Sequence, residues 1–310
     1  MRQTGDSELA ERVRLVEVGP RDGLQNEARV LPSSLKLELI RRLGEAGLTT
    51  IEATAFVSPA WVPQMADHAE VIRGLRRIPG VAYPVLVPNM QGFERAMAAG
   101  VREIAVFAAA SESFSQRNIN CSIDDSFGRF RPIFQAARER GIPVRGYVSC
   151  AIHCPYEGVI APDAVAAVAG RLFEAGCAEI SLGDTIGTGT PAQVQAMLSA
   201  VSRTVPLESL AGHFHDTYGM AVANVHTAYQ FGVRTFDASV AGLGGCPYAS
   251  GASGNVATED LVYLFNGMEI ETGVDLERLV AVSVWISREF GRSPASRVTQ
   301  AVGVVPPDVA

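Results

Sequence analysis

The stretch VRLVEVGPRDGLQNE, residues 13–27, opens as a short apolar run of strand character and breaks at Gly19-Pro20 into a turn carrying Arg21 and Asp22. A doubly wound open sheet would place a GxGxxG turn directly after such a first strand, and none stands here. The alternative is a barrel, which requires the same strand–helix unit to repeat around a closed sheet. It does repeat. Val13–Val18, Thr50–Thr54, Ala82–Val87, Glu103–Ala108, Val144–Ser149, Glu179–Leu182, Ala211–His215 and Thr235–Ala241 all read as strands.

Helical patterns lie between them. In LPSSLKLELIRRLGEAG, Pro32 and Ser33 open a helix and Gly47 closes it. DDSFGRFRPIFQAARERG, APDAVAAVAGRLFEAG, TPAQVQAMLSAVSRT and GMAVANVHTAYQFG behave likewise. Eight units over roughly 250 residues match the usual size of a (β/α)8 TIM barrel. Additional C-terminal helices are expected from VDLERLVAVSVWISREFG onward. One catalytic domain over 12–290 is the expectation, with 1–11 and 291–310 as flexible tails.

Bulk properties narrow the function classes. The 310 residues are 47% hydrophobic and 19% charged, with 30 Gly, 17 Pro and a net charge of −7. No basic run offers a nucleic-acid surface, and no apolar stretch reaches the roughly 18 residues that span a bilayer. MRQTGDSELAER mixes acids with bases, unlike a signal or transit peptide, so a cytoplasmic location is expected. Five scattered cysteines suit reduced thiols better than a disulfide framework. Cys150 and Cys154 flank His153 without a second CxxC, and small apolar residues at a strand end explain them better than a zinc site.

Barrel chemistry sits where strands end. Those ends carry Arg21 and Asp22 after strand 1, Glu52 in strand 2, Asp184 after strand 6 and the pair His213 and His215 in strand 7. Residues two apart on a strand share a face, so both imidazoles project into the barrel mouth. Closure makes strand 8 the neighbour of strands 7 and 1, so Asp22 and Asn255 of the strand-8 loop reach the same point. That mixed oxygen and nitrogen set suits Mg2+ or Mn2+ better than a thiolate zinc site; the bland alternative is two hydrogen-bonded core histidines. Asp216 has the wrong parity to join them and reads as a supporting group or helix cap.

VEVGPRDGLQNE (16–27), IEATAFVSPAWVPQMAD (51–67), NINCSIDDSF (118–127), GCAEISLGDTIGTGTP (176–191), HFHDTYG (213–219) and GLGGCPYASGASGNVATEDLVY (242–263) together resemble the 3-hydroxy-3-methylglutaryl-CoA lyases. These belong to a metal-dependent superfamily of lyases and acyl-condensing enzymes built on TIM barrels. The resemblance runs from about residue 12 to 290 and implies cleavage of 3-hydroxy-3-methylglutaryl-CoA, or a related 3-hydroxy-3-alkylglutaryl-CoA, to acetyl-CoA and a 3-keto acid such as acetoacetate, within leucine degradation and ketone body metabolism. It also implies a homodimer. By position it makes Asp22, His213, His215 and Asn255 ligands of a divalent metal cation. Arg21 would meet the thioester carbonyl, and Cys246 would ride a mobile loop over the substrate. Glu52, Asp184 and Glu259 would line or support the site, with Gln25 and Ser181 as substrate contacts.

The chemistry agrees with the residue types. A metal on the tertiary C3 hydroxyl lowers its pKa, and a guanidinium stabilises the enolate that forms as the bond breaks. A cysteine on a glycine-rich lid can protonate the resulting carbanion. Two positions depart from the family pattern: Ala28 stands where Lys is common, and Ala55 where Ser is. His153 replaces a smaller residue near the mouth. Competing readings are an acyl-condensing synthase of the same superfamily, against which GLGGCPYA speaks, and a catalytically inactive binding barrel.

Overall fold

The computed structural model describes residues 11–245 and 254–302. Its sheet runs β1 (Arg14–Glu17), β2 in two pieces (Thr50–Ile51 and Thr54–Ala55), β3 (Val85–Leu86), β4 (Ile104–Ala109), β5 (Val144–Ser149), β6 (Glu179–Asp184), β7 (Leu210–Phe214) and β8 (Thr235–Ala238). Each strand pairs in parallel with the next, and β8 returns to β1 with Arg14 opposite Thr235. Closure passes through β2. Its Glu52 N–H donates to Glu17 O on one side at 2.9 Å, while Ile51 and Ala53 N–H donate to Ala82 O and Pro84 O on the other. The fold is a (β/α)8 TIM barrel.

β3 is shorter than the expected Ala82–Val87, and the reason is chemical. Pro84 has no N–H to give the ladder, so the regular strand starts only at Val85, although Val87 N–H still reaches Ala105 O at 2.8 Å. The helices between strands turn apolar faces to the barrel; Leu39, Ile40 and Leu43 do so in Ser33–Glu45. Gly47 ends the chain's exit from that helix at φ +105, where a Cβ would stand 2.2 Å from Gly273 O. Only glycine fits there.

After the eighth barrel helix, Thr258–Gly267, the chain adds Leu276–Glu289, which packs back on the first helix and lays Trp285 under the Arg42 guanidinium at 4.4 Å. The expectation of a loose tail from residue 291 does not hold for its first dozen residues. Arg297–Val302 is a helix whose Thr299 is buried and donates to Glu259 at 2.9 Å. A polar anchor on a buried carboxylate holds this short helix where apolar periodicity gave no signal. Cys121, Cys150, Cys154 and Cys177 are buried and form no disulfide.

Candidate active site

Beyond β1 the chain enters a π-helical turn, Gly19–Gly23, in which Gly23 N–H reaches Val18 O at 3.1 Å. A Cβ on Gly19 would lie 2.5 Å from Glu17 Oε1, so any larger residue at the start of the turn would push that carboxylate aside. The wide turn presents consecutive residues to the barrel mouth together: Arg21, 6% exposed, and Asp22. Arg21 donates through Nε to Glu52 Oε2 at 2.7 Å and through Nη1 to Asp22 Oδ1 at 2.6 Å. Two of its three nitrogens are thus fixed while the guanidinium stays on the cavity wall.

β7 brings in the histidines from the other side. His213 and His215 are both buried, with their Nε2 atoms 3.3 Å apart and each 4.0 Å from Asp22 Oδ2. The returning end of the strand-8 loop pairs antiparallel with this strand, His215 opposite Asn255, and Val256 N–H donates to Phe214 O. Asn255 Nδ2 then donates to Asp22 Oδ2 at 2.8 Å. Among the described residues, Asp22, His213 and His215 offer ligand atoms within 4.8 Å of one another.

The protonation states fit a divalent cation. Burial alone would raise the Asp22 carboxyl, but Arg21 and then the two imidazoles outweigh it and hold it at about 2. Burial and the neighbouring His213 push His215 down to about 4. At His213 burial is outweighed by Asp237 and Asp22, which raise its pKa, so a cation binding there would displace a proton from that ring; Asp22 as a carboxylate and the two imidazoles then form a hard-to-borderline donor set. Among the described residues, His215 Nδ1 is buried with no hydrogen-bond partner.

Three residues of this neighbourhood escaped the sequence reading. Asp237 of β8 accepts from His213 Nδ1 at 3.0 Å and is gripped by both terminal nitrogens of Arg145. Tyr147 donates to Glu52 Oε2 at 3.1 Å and accepts from Arg145 at 2.9 Å. Arg145 and Tyr147 sit two apart in VRGYVS, and Asp237 is the lone acid of TFDA. Polar residues at strand parity inside an otherwise apolar run were the available signal.

The other expected site residues separate into two groups. Gln25 lines the cavity, and so does Asn26, which reaches Gly245 O at the base of the strand-8 loop. Ser181, expected as a substrate contact, is instead fully buried in the barrel and donates to Asp237 at 2.7 Å, because its parity turns it beneath His213. Asp184 accepts from the Thr188 and Gly189 amides and shapes the loop after β6. Glu259 lies behind the site, accepting from Ala241 N–H at 3.0 Å. Asp216 accepts from Ala221 N–H at the start of the next helix, as a cap would.

His153 bonds Thr188 at 2.8 Å, and Cys154 accepts from Ser111 at 3.0 Å. Ala28 is exposed and Ala55 buried; neither lines the cavity. Cys246 and most of its loop lie outside the described residues. The cavity itself holds about 780 Å³, running from His213 and Arg21 past Phe107 and Phe114 to Trp61, Arg117 and Arg129.

Residues 12–286 match the model of the HMGL-like family. The chain belongs to that family. Relatives include the cytoplasmic 3-hydroxy-3-methylglutaryl-CoA lyase of Mus musculus, 59% identical with 94% of this chain and 85% of that protein covered. The mitochondrial hydroxymethylglutaryl-CoA lyase of Bos taurus is 60% identical, over 93% of this chain and 89% of its own. Among solved HMGL-like structures, the hydroxymethylglutaryl-CoA lyase of Pseudomonas aeruginosa superposes with a TM-score of 0.92 at 56% identity, covering 94% and 97% of the two chains. An HMG-CoA lyase of Acinetobacter baumannii in complex with coenzyme A and 3-methylmalate gives 0.91 at 35% identity, covering 99% and 100%.

Proposed function

We propose that the protein cleaves 3-hydroxy-3-methylglutaryl-CoA to acetyl-CoA and acetoacetate with a bound divalent metal. The observation that carries the reading is the convergence of Asp22, His213 and His215 beside a guanidinium at the head of a long cavity. Relatives of this identity and coverage are named for that same cleavage.

Asp22, His213, His215 and Asn255 would hold Mg2+ or Mn2+, which when bound makes the tertiary hydroxyl of the substrate acidic enough to lose its proton. Arg21 binds the thioester carbonyl oxygen and takes the negative charge that collects there as the C2–C3 bond breaks. Its fixed contacts with Glu52 and Asp22 mean that no reorganisation is needed when that charge arrives. The electron pair of the broken bond becomes the enolate of acetyl-CoA, and Cys246 supplies the proton to its carbon. Phe107 and Phe114 give the cavity an apolar wall, the kind of lining that excludes water from a reacting carbanion.

A homodimer, a cytoplasmic location and a role in leucine degradation and ketone body metabolism complete the proposal. Light scattering tests the first and cell fractionation the second. The reaction is tested by incubating the pure protein with the thioester and Mg2+ and measuring both products. Formation of neither would reject it. Thioesters of graded branch length then define the acid.

A further inference from the structure

We propose that Asp237 is a positioning residue that fixes His213 in its Nδ1-protonated form, turning the Nε2 lone pair toward Asp22 and His215. The juxtaposition is dictated by sheet register. His213 of β7 stands directly opposite Asp237 of β8, so their side chains enter the barrel interior in the same layer. Asp237 Oδ2 lies 3.0 Å from His213 Nδ1, and its side chain is completely buried.

A carboxylate accepts and cannot donate, so the hydrogen between these atoms belongs to the imidazole. When the ring is neutral, as it must be to ligate a cation, it has only one N–H, and keeping that hydrogen on Nδ1 leaves Nε2 as an acceptor. That is the atom 3.3 Å from His215 Nε2 and 4.0 Å from Asp22 Oδ2. The carboxylate is itself held on several sides. Arg145 donates to Oδ1 at 2.6 Å and Oδ2 at 3.1 Å, and Ser181 donates to Oδ2 at 2.7 Å. Arg145 is anchored in turn by Glu179 at 2.6 Å, which also pairs with Arg14 near the barrel floor. These contacts reduce the rotations open to Asp237, and through it those open to His213. Carboxylate partners that orient a ligating histidine raise metal affinity and fix the ring's direction.

This inference rests on the metal reading above, and its test separates the two. Histidine 15N NMR on the metal-free protein reads the tautomer directly. The spectrum is followed with rising pH until the His213 ring is neutral; the expected result is then an Nδ1–H ring, and an Nε2–H ring overturns the proposal, whatever the protein binds. Titration with Mn2+, followed by electron paramagnetic resonance, gives the affinity. Asp237→Asn keeps the side chain's shape, but its amide NH2 can donate to Nδ1 and so stabilise the opposite tautomer. It should weaken Mn2+ binding by roughly 10- to 100-fold and move His213 to the Nε2–H signature. Wild-type affinity with an unchanged signature in a folded Asp237→Asn protein contradicts the proposal. Should that variant not fold, the wild-type spectrum still decides. A wild-type protein that binds no Mn2+ yet shows Nδ1–H at His213 removes the metal reading and leaves the tautomer assignment standing.

Discussion

Glu17 and Glu259, both fully buried, grip adjacent amides of one turn: Glu17 Oε1 accepts from Val240 N–H at 2.9 Å, and Glu259 accepts from Ala241 N–H at 3.0 Å. That turn, Val240–Gly242, leads into the strand-8 loop, and Ala241 takes φ +60 within it. Glu17 also accepts from Gly19 and Thr258, joining the Arg21–Asp22 turn to the last barrel helix. Among the described residues, neither carboxylate has a cation as a hydrogen-bond partner. Burial therefore dominates and pushes each up from 4.5 to about 7.

A raised carboxyl pKa means that the folded state binds more protons than the unfolded chain between pH 4.5 and 7. The stability these groups contribute is complete below about pH 4.5 and is lost as pH rises through about 7. At about 1.4 kcal/mol per unit, each is worth roughly 3 kcal/mol across that window. Glu17→Gln should flatten the slope, because its amide oxygen can serve both backbone N–H groups and its NH2 can donate to the Thr258 hydroxyl. Thermal melts from pH 5 to 8 check this. A variant whose Tm falls with pH as steeply as wild type assigns the slope to other groups.

Replacing Arg21 with Met removes the partner for the developing enolate while the metal donors remain. Turnover should fall by about 10²–10³, the scale for losing one preorganised donor, with Mn2+ affinity retained. Steady-state kinetics beside a Mn2+ titration separates the two effects. Activity within tenfold of wild type would mean that another group carries the charge.

How far this site was legible depends on what kind of signal each residue left. His213 and His215 announced themselves through strand parity, and Pro84 shows in hindsight why β3 starts only at Val85. The π-helical turn that aims Arg21 and Asp22 left none, since GPRDG reads equally well as an ordinary loop. Asp237 comes from β8 and Arg145 and Tyr147 from β5, so their network exists only once the sheet is closed and its register set. Ser181 was misread for the same reason: its motif is conspicuous, but its side chain points into the layer below the histidines.

Cys246→Ser should lower turnover strongly and raise KM much less, because a serine hydroxyl is a far weaker acid than a thiol. Alkylation should inactivate the free enzyme, and a bound substrate analogue should protect it. Unchanged kcat in Cys246→Ser would move the proton donor elsewhere.

The central claim is that Asp22, His213 and His215 hold the metal on which cleavage depends. The direct measurement is the rate of acetoacetate release from 3-hydroxy-3-methylglutaryl-CoA by protein stripped with a chelator, then resupplied with Mg2+ or Mn2+, for wild type and His213→Ala side by side. The account predicts negligible release after stripping, recovery of wild type on adding either ion, and no recovery of His213→Ala at the same concentration. Stripped wild-type protein that cleaves at the original rate, or a His213→Ala protein restored to it, would contradict the account.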